Sequence, residues 1–332
     1  MKKTFLCLLG LLLLGVSIIA SSSYAAKSQR YKVLVVFSYE ENAPWDVEIR
    51  DEIVRVLALY ADLTFFYMDT KAFLKGGPQK AKEAFSLYQK LKPDGIITVD
   101  DNAQSMFVLP YLKGKIDIPL MFCGVNAKPE AYGYPTEHIS GILERFHLAE
   151  SIILNRQLVG QINNFAFMVK NGPVADILAQ QLEEDKDLFS AKMVSFMRPD
   201  SLEEALEMAR EAHDDVDLLF LVGLFGLKID GVPGAEEDAI PRLVAAFNKP
   251  TAGIAASVVR SGALSAVITN SREHGYRAAR MLLKAMNGTP VSQLPIQRNS
   301  HGERMINVTT LKRLGLSPDP IVFRGVELVR QW

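Results

Sequence analysis

The sequence predicts an α/β protein built as two similar open parallel-sheet lobes joined by a hinge. Three observations predict it. Short runs rich in Val, Ile, Leu and Phe alternate with longer stretches of helical periodicity, the pattern left by parallel strands that crossover helices bury on both faces. That series breaks in residues 123–144, where Gly124, Pro129, Gly133, Pro135 and Gly141 crowd together, and a fresh strand and helix series starts near Phe165. Behind its leader the chain keeps roughly 305 residues, enough for two domains with a core each.

The leader comes first. Met1, Lys2 and Lys3 precede an apolar run from Phe5 to Ala20, then Ser21, Ser22, Ser23, Tyr24, Ala25 and Ala26, the layout of a secretory signal cut after residue 25. A retained membrane anchor is the alternative, but the run is at the short end of the about 20 residues a span needs. Cys7 sits near the start of the run with no small residues before it, so it reads as part of that run rather than as a lipid-modified cysteine. Cleavage leaves Cys123 as the single cysteine. An intramolecular disulfide is then impossible, although an exported protein could form one.

Strands are expected at 32–37, 63–68, 95–99, 120–123, 165–169, 192–196, 218–222 and 251–254, with helices at 47–60, 80–90, 149–158, 174–183, 202–212 and 240–246. A first crossing between lobes follows residue 144 and a second falls near 264–270. An amphipathic helix at 272–286, a strand at 304–308 and a terminal helix close the chain. The first lobe is expected to hold 26–144 and 268–292, the second 145–267 and 293–332. Ligands of such sheets bind outside the carboxyl ends of the strands, in the crevice.

Those ends carry the chemistry. The first strand runs into Phe37-Ser38-Tyr39-Glu40-Glu41-Asn42-Ala43-Pro44-Trp45, the third into Val99-Asp100-Asp101-Asn102-Ala103, and the fourth into Phe122-Cys123-Gly124-Val125-Asn126; Ile139 to Glu144 follow. Their order and spacing resemble the type I periplasmic binding proteins, and more narrowly the substrate-binding proteins of ABC uptake systems, whose relatives also serve as extracytoplasmic sensor domains. Ser261 to Ser265, the helix from Arg272, Met305-Ile306-Asn307 and Thr310 to Leu316 are similar to that family's closing segments. The resemblance implies solute capture between the lobes by hinge closure. It does not fix the ligand, because one such frame serves many.

Ser38 is expected to offer a hydroxyl and Tyr39 an aromatic wall. Trp45 either covers a ligand or staples its own lobe. Of the adjacent Asp100 and Asp101, only one can face the crevice; Asp101, nearest the helix start, is favoured. Asn102 either caps its helix or touches ligand. Asn126 and Glu144 bracket the first crossing and either hold ligand or fix the hinge, with a solvated Glu144 as the plainer reading. In the second lobe Asn171 and Gly172 open a helix, beside Lys170, which supplies charge or is simply solvated. The other two ends, Gly223-Leu224-Phe225 and Ala255-Ala256-Ser257, are apolar; Gly223, Phe225 and Ala256 are the expected contacts. Amino-acid-binding relatives carry polar or acidic groups there, so an aromatic or partly apolar ligand fits better.

Enzyme readings lack their parts. There is no G-x-S-x-G elbow, P-loop or G-x-G-x-x-G run, and the five histidines are scattered. Cys123 ends an apolar strand and is expected to be buried and inert. With 37 basic and 38 acidic residues, nucleic acid is not an expected partner. The expectation is a periplasmic, monomeric binding protein without catalytic residues, cofactor or metal. Its partners would be a small molecule and an ABC permease or a membrane signalling receptor.

Overall fold

The structure, a computed structural model, describes residues 30–330; the expected leader, Cys7 included, lies outside the described residues. In chain order the first unit comprises β1 (Tyr31–Phe37), α1 (Pro44–Leu57), β2 (Ala61–Tyr67), α2 (Gly77–Leu91), β3 (Gly95–Val99) and the short α3 (Asp100–Ala103), which runs into a π-helical stretch, Gln104–Leu112. β4 (Leu120–Val125) and β5 (Ile139–Leu143) complete it. The second unit follows with α4 (Leu148–Val159), β6 (Asn164–Val169), α5 (Pro173–Asp185), β7 (Lys192–Met197), α6 (Leu202–Glu211) and β8 (Leu218–Val222). A small hairpin, β9 (Lys228–Ile229) and β10 (Val232–Pro233), leads to α7 (Glu236–Phe247), β11 (Thr251–Gly253), α8 (Ala256–Arg260) and β12 (Ser265–Thr269). The chain then returns to the first unit for α9 (Ser271–Met286) and β13 (Gln297–Arg298), and ends in the second with β14 (Gly302–Asn307), α10 (Val308–Arg313) and β15 (Val326–Val329).

Each unit is one sheet covered by helices. The first sheet has the order β13-β5-β4-β3-β1-β2 and the second β15-β14-β12-β11-β8-β6-β7. All pairings in both sheets are parallel except β12 with β14. Every residue of β3, β4, β5 and β8 is buried, and β3, β4 and β8 accordingly read as largely apolar runs. Within each sheet five strands follow one plan, β2-β1-β3-β4-β5 and β7-β6-β8-β11-β12. Their order reverses between β1 and β3 and between β6 and β8, the places where such sheets open a binding crevice.

Helix α1 starts with Pro44, whose missing N–H costs nothing in a first turn, and turns Ile49, Ile53 and Leu57 inward. These side chains meet Ala278, Ala279 and Leu282 of α9 in one core, each contributing about 1.5–3 kcal/mol by leaving water. Gly275 is required for that contact: a Cβ there would collide with the Ile49 carbonyl.

Two strands lie where the sequence suggests none. Residues 139–143 contain Gly141, a poor strand former, but a Cβ at that position would strike Phe122 of β4. Residues 265–269 form β12 instead of crossing between the lobes. Sheet membership puts the chain crossings at 144–147, at Asn270 and at 299–301, against the expected changes at 268 and 293, because β12 stays in the second sheet and β13 pairs with β5 in the first. The short edge strands β13 and β15 leave no periodic signal.

The three crossings are tied to one another. The Arg145 N–H donates to Asn299 Oδ1 at 2.7 Å, and Asn299 Nδ2 donates back to the Arg145 carbonyl at 3.0 Å. Thr269 Oγ1 reaches the same carbonyl at 3.5 Å. Beside them the Arg145 guanidinium donates to the carbonyls of Glu144 and Asn126 and to Glu184 of α5, and Arg298 grips Asp185 at 2.8 and 3.0 Å. β5 and β12 both run carboxyl end first into these crossings, so both sheets point their carboxyl ends toward the hinge.

Candidate ligand-binding site

The site forms where β1, β3, β4 and β5 end. Beyond β3, Asp100 takes a left-handed backbone, φ +65°, a conformation Asp tolerates better than most residues. Across from it in β4, Gly124 has φ +69°, and a Cβ there would sit 2.6 Å from Asp100 Oδ1. Glycine thus makes room for the carboxylate as well as the turn. Asp100 is buried, and its Oδ2 has no hydrogen-bond partner. Desolvation first, then the charges of Asp46, Glu144 and Asp101, push its pKa well up, while the Trp45 indole opposes the shift.

Asp46, in the first turn of α1, is fully buried, and neither of its oxygens has a partner. Burial, followed by the Glu40 charge, raises it to about 7 despite Lys71. Glu144, just past β5, is raised to about 7 by desolvation, with the Asn126 amide opposing. The Tyr39 phenol is pushed up by burial and then by Asp100, Asp101, Glu144 and Asp46. One hydroxyl within the field of four carboxylates marks where they converge.

The floor comes from a distant helix. The Gly124 N–H donates to His274 Nδ1 at 3.3 Å, so the imidazole proton sits on Nε2, which is buried without a partner. Burial lowers His274 to about 4 and keeps it neutral. Its ring lies 5.4 Å from that of Trp45. Trp45, His274, Gly124 and Asp100 therefore form one connected wall from α1 through α9 to the ends of β4 and β3.

Several residues singled out in the sequence have other work. Ser38 is fully buried; its hydroxyl donates to the Val99 carbonyl at 2.6 Å and accepts the Ala103 N–H at 2.8 Å, so it ties β1 to the start of α3 and does not face a crevice. Asn102 does not cap its own helix. Its amide donates to Thr70 Oγ1 at 2.9 Å. Asp101 accepts from the N–H groups of Asn126 (2.9 Å) and Ala127 (3.2 Å) and from the Tyr132 hydroxyl (2.7 Å). It therefore fixes the loop after β4, and the carboxylate with a free oxygen is Asp100. Asn126 Nδ2 donates to Glu144 Oε2 at 3.0 Å, joining those two as expected neighbours, and that contact removes the solvated reading of Glu144. Tyr39 and Trp45 are half-buried, with Lys71 Nζ 5.7 Å from the Tyr39 ring centre.

The second lobe presents a different surface. Asn171 is exposed and accepts from Arg198 at 3.3 Å. Gly172 holds the capping position of α5, where its carbonyl accepts the Ala175 and Asp176 N–H groups. Gly223 follows β8, and Phe225 beyond it is 77% exposed. Ala256 opens α8 and packs against the Val259, Ala266 and Met305 cluster. Apart from Asn171, these residues offer little charge or side-chain hydrogen bonding, and Phe225 offers apolar surface.

Asp46 and His274 escape sequence reasoning, which weighed Asp100 against Asp101 and favoured the latter, and read Gly124 only as part of the break between the lobes. An acid in a first helical turn reads as a helix-dipole partner, and a lone His on an amphipathic helix carries no signal. Pro44-Trp45-Asp46, in the loop beyond Tyr39 that follows the first strand, was the one available hint. The arrangement can accept hydrogen bonds and positive charge between aromatic walls. Among the described residues no group of three or more His, Cys, Asp or Glu side chains is arranged to hold a metal. Cys123 is buried, with its thiol pKa pushed up by desolvation, the opposite of an activated nucleophile.

Known proteins share this plan. The family model described as ABC transporter substrate binding protein matches residues 237–324. No curated protein matches. A ligand-free, open structure of CD0873, a substrate binding protein with adhesive properties from Clostridium difficile, superposes with TM-score 0.66 at 18% identity, covering 91% of this chain and 100% of that one. The ABC domain in complex with L-Trp from Streptococcus pneumonia gives 0.56 at 16%, covering 90% and 99%. A chain of the XylFII–LytSN complex, mutant D103A, gives 0.55 at 15%, covering 85% and 99%. The chain has the type I periplasmic binding protein fold, and its residues 237–324 carry the match to the ABC transporter substrate binding protein family.

Proposed function

We propose that this protein is an extracytoplasmic solute-binding protein of an ABC uptake system, which captures a small molecule between its two lobes and closes about the hinge. The observation that carries the reading is the set of buried, unpartnered carboxylates and half-buried rings at the β1/β3 reversal, beside three crossings bonded to one another. A ligand docks first on Tyr39, Trp45, Asp100 and Glu144 and then meets the apolar ends of β8 and β11. Its preference for the closed form shifts the population that a permease reads. No helix among the described residues is long and apolar enough to cross a membrane, and the sequence ahead of them reads as an export signal.

The test is native purification followed by mass spectrometry of the co-purifying molecule and small-angle scattering with and without it. The expected result is one defined small molecule and a smaller radius of gyration on its return; no bound molecule and an unchanged radius would remove the proposal. Because a chain of the XylFII–LytSN complex has this fold, a second reading has the closed form presented to a membrane signalling receptor. A permease and ATPase encoded beside the gene favour uptake, and a kinase or cyclase there favours sensing.

A further inference from the structure

Resting on the solute-binding reading, we infer that the first-lobe site takes a protonated amine with an apolar or aromatic body, rather than an anion, a sugar or an amino-acid zwitterion. Three buried carboxylate oxygens, Asp46 Oδ1, Asp46 Oδ2 and Asp100 Oδ2, make no hydrogen bond of good geometry, although the Tyr39 N–H and the Trp45 indole lie close enough to lower the pKa values of Asp46 and Asp100 respectively. Their neighbours do not share this: Asp101 has three donors and Glu144 has Asn126. An interior carboxylate without a partner is costly, and a fold that keeps two of them together is complementary to something absent from its own chain. An ammonium brings one positive charge and three N–H donors, which matches the three unpartnered oxygens in number.

The chain's own cations do not fill that role. The Arg145 guanidinium is engaged by the carbonyls of Glu144 and Asn126 and by Glu184, and Lys71 is exposed, its ammonium over the outer Tyr39 ring. Tyr39 and Trp45 supply π faces that attract a cation, and Phe225 across the crevice supplies apolar surface. A carboxylate on the ligand would lie within a few bonds of its ammonium, inside the field of Asp46, Asp100, Asp101 and Glu144. The ends of β6, β8 and β11 offer it Lys170 alone.

The experiment is isothermal titration and thermal-shift measurement on the purified protein with tryptamine, phenethylamine, L-tryptophan, indole-3-propionate and D-ribose. Tryptamine or phenethylamine should bind at least about tenfold more tightly than L-tryptophan, and Asp46→Asn and Asp100→Asn should each weaken the amine by about tenfold or more. Above about pH 7 the same substitutions should raise the melting temperature of the ligand-free protein, since each removes a buried acid whose ionisation the chain does not compensate. Should either variant fail to fold, tryptamine affinity of the unaltered protein supplies the readout: it should strengthen between about pH 5 and about pH 8 as the carboxylates ionise. The inference is overturned by L-tryptophan or indole-3-propionate binding as tightly as tryptamine, by amine affinity unchanged in both variants, or by a flat pH profile. Ribose or an anion binding where amines do not overturns the amine class and leaves solute capture standing. No binding by any probe, with no co-purifying molecule, removes both.

Discussion

The two lobes share a strand plan and differ in what they hang on it. In the first, the strand ends carry Tyr39, Asp100, Gly124 and Glu144, with Asp46 and His274 closing in from helices; in the second, the equivalent ends carry Lys170, Gly223, Phe225 and Ala256. One is polar, buried and unsatisfied, while the other is sparse and partly exposed. The comparison teaches that the fold supplies the crevice and that loop residues decide which lobe recognises. On the proposed reading, recognition belongs to the first lobe and closure to the second.

The sharpest way to break that division is Gly124→Ala. It places a Cβ at φ +69° and 2.6 Å from Asp100 Oδ1, so it should cost about 3 kcal/mol through backbone strain and displacement of the carboxylate. Thermal melts and amine titration should both register it. The equivalent change at Gly223, where the nearest atoms belong to the Val174 side chain, should lower stability without the loss of affinity.

pH separates the lobes next. Asp46 is raised from 3.8 to about 7, so between those values the native state holds a proton that the unfolded state has released. Ligand-free stability is therefore full below about pH 4 as far as this group is concerned and falls as pH rises through 7, by roughly 4 kcal/mol for a shift of that size. Glu144, also raised to about 7, acts in the same direction. Melting curves across that range should show the decline in wild type, and Asp46→Asn should flatten it.

Asn299→Ala tests the hinge that both lobes share. It strips the Arg145 N–H of its acceptor and His147 Nε2 of its neighbour at 3.0 Å, leaving buried polar groups unsatisfied at a cost of about 2 kcal/mol. Urea unfolding measures that cost, and scattering should report a wider spread of lobe angles. The smallest expected effect is that of Phe225→Ala. Being 77% exposed, Phe225 should change stability by less than about 0.5 kcal/mol. The affinity of an aromatic amine should nevertheless fall by about 3- to 10-fold as the closing contact is lost.

Much of the frame is legible in the sequence. The expected strands at 32–37, 95–99 and 218–222 lie within or on β1, β3 and β8, and the helix expected at 272–286 is α9 less its first residue. β5, β13 and β15 were hidden for two reasons. Gly141 is explained only by its contact with Phe122, and strands of two to four residues are too short for a period to show. The site is less legible. Tyr39, Trp45, Asn126 and Glu144 are brought together, whereas Ser38, Asp101 and Asn102 are committed to internal hydrogen bonds.

What the sequence by itself determined is the alternation of buried strands and covering helices, since burying a strand on both faces demands a local run of apolar residues. It also determined which loops end those strands. Only the tertiary structure decided which of two adjacent acids is free. Asp101 meets backbone donors 25 and 26 residues away, and Asp100 does not. It alone brought His274 to Gly124 across 150 residues. The reason is physical: apolar burial is written residue by residue, but whether a polar atom is satisfied depends on partners that only the folded chain brings within reach.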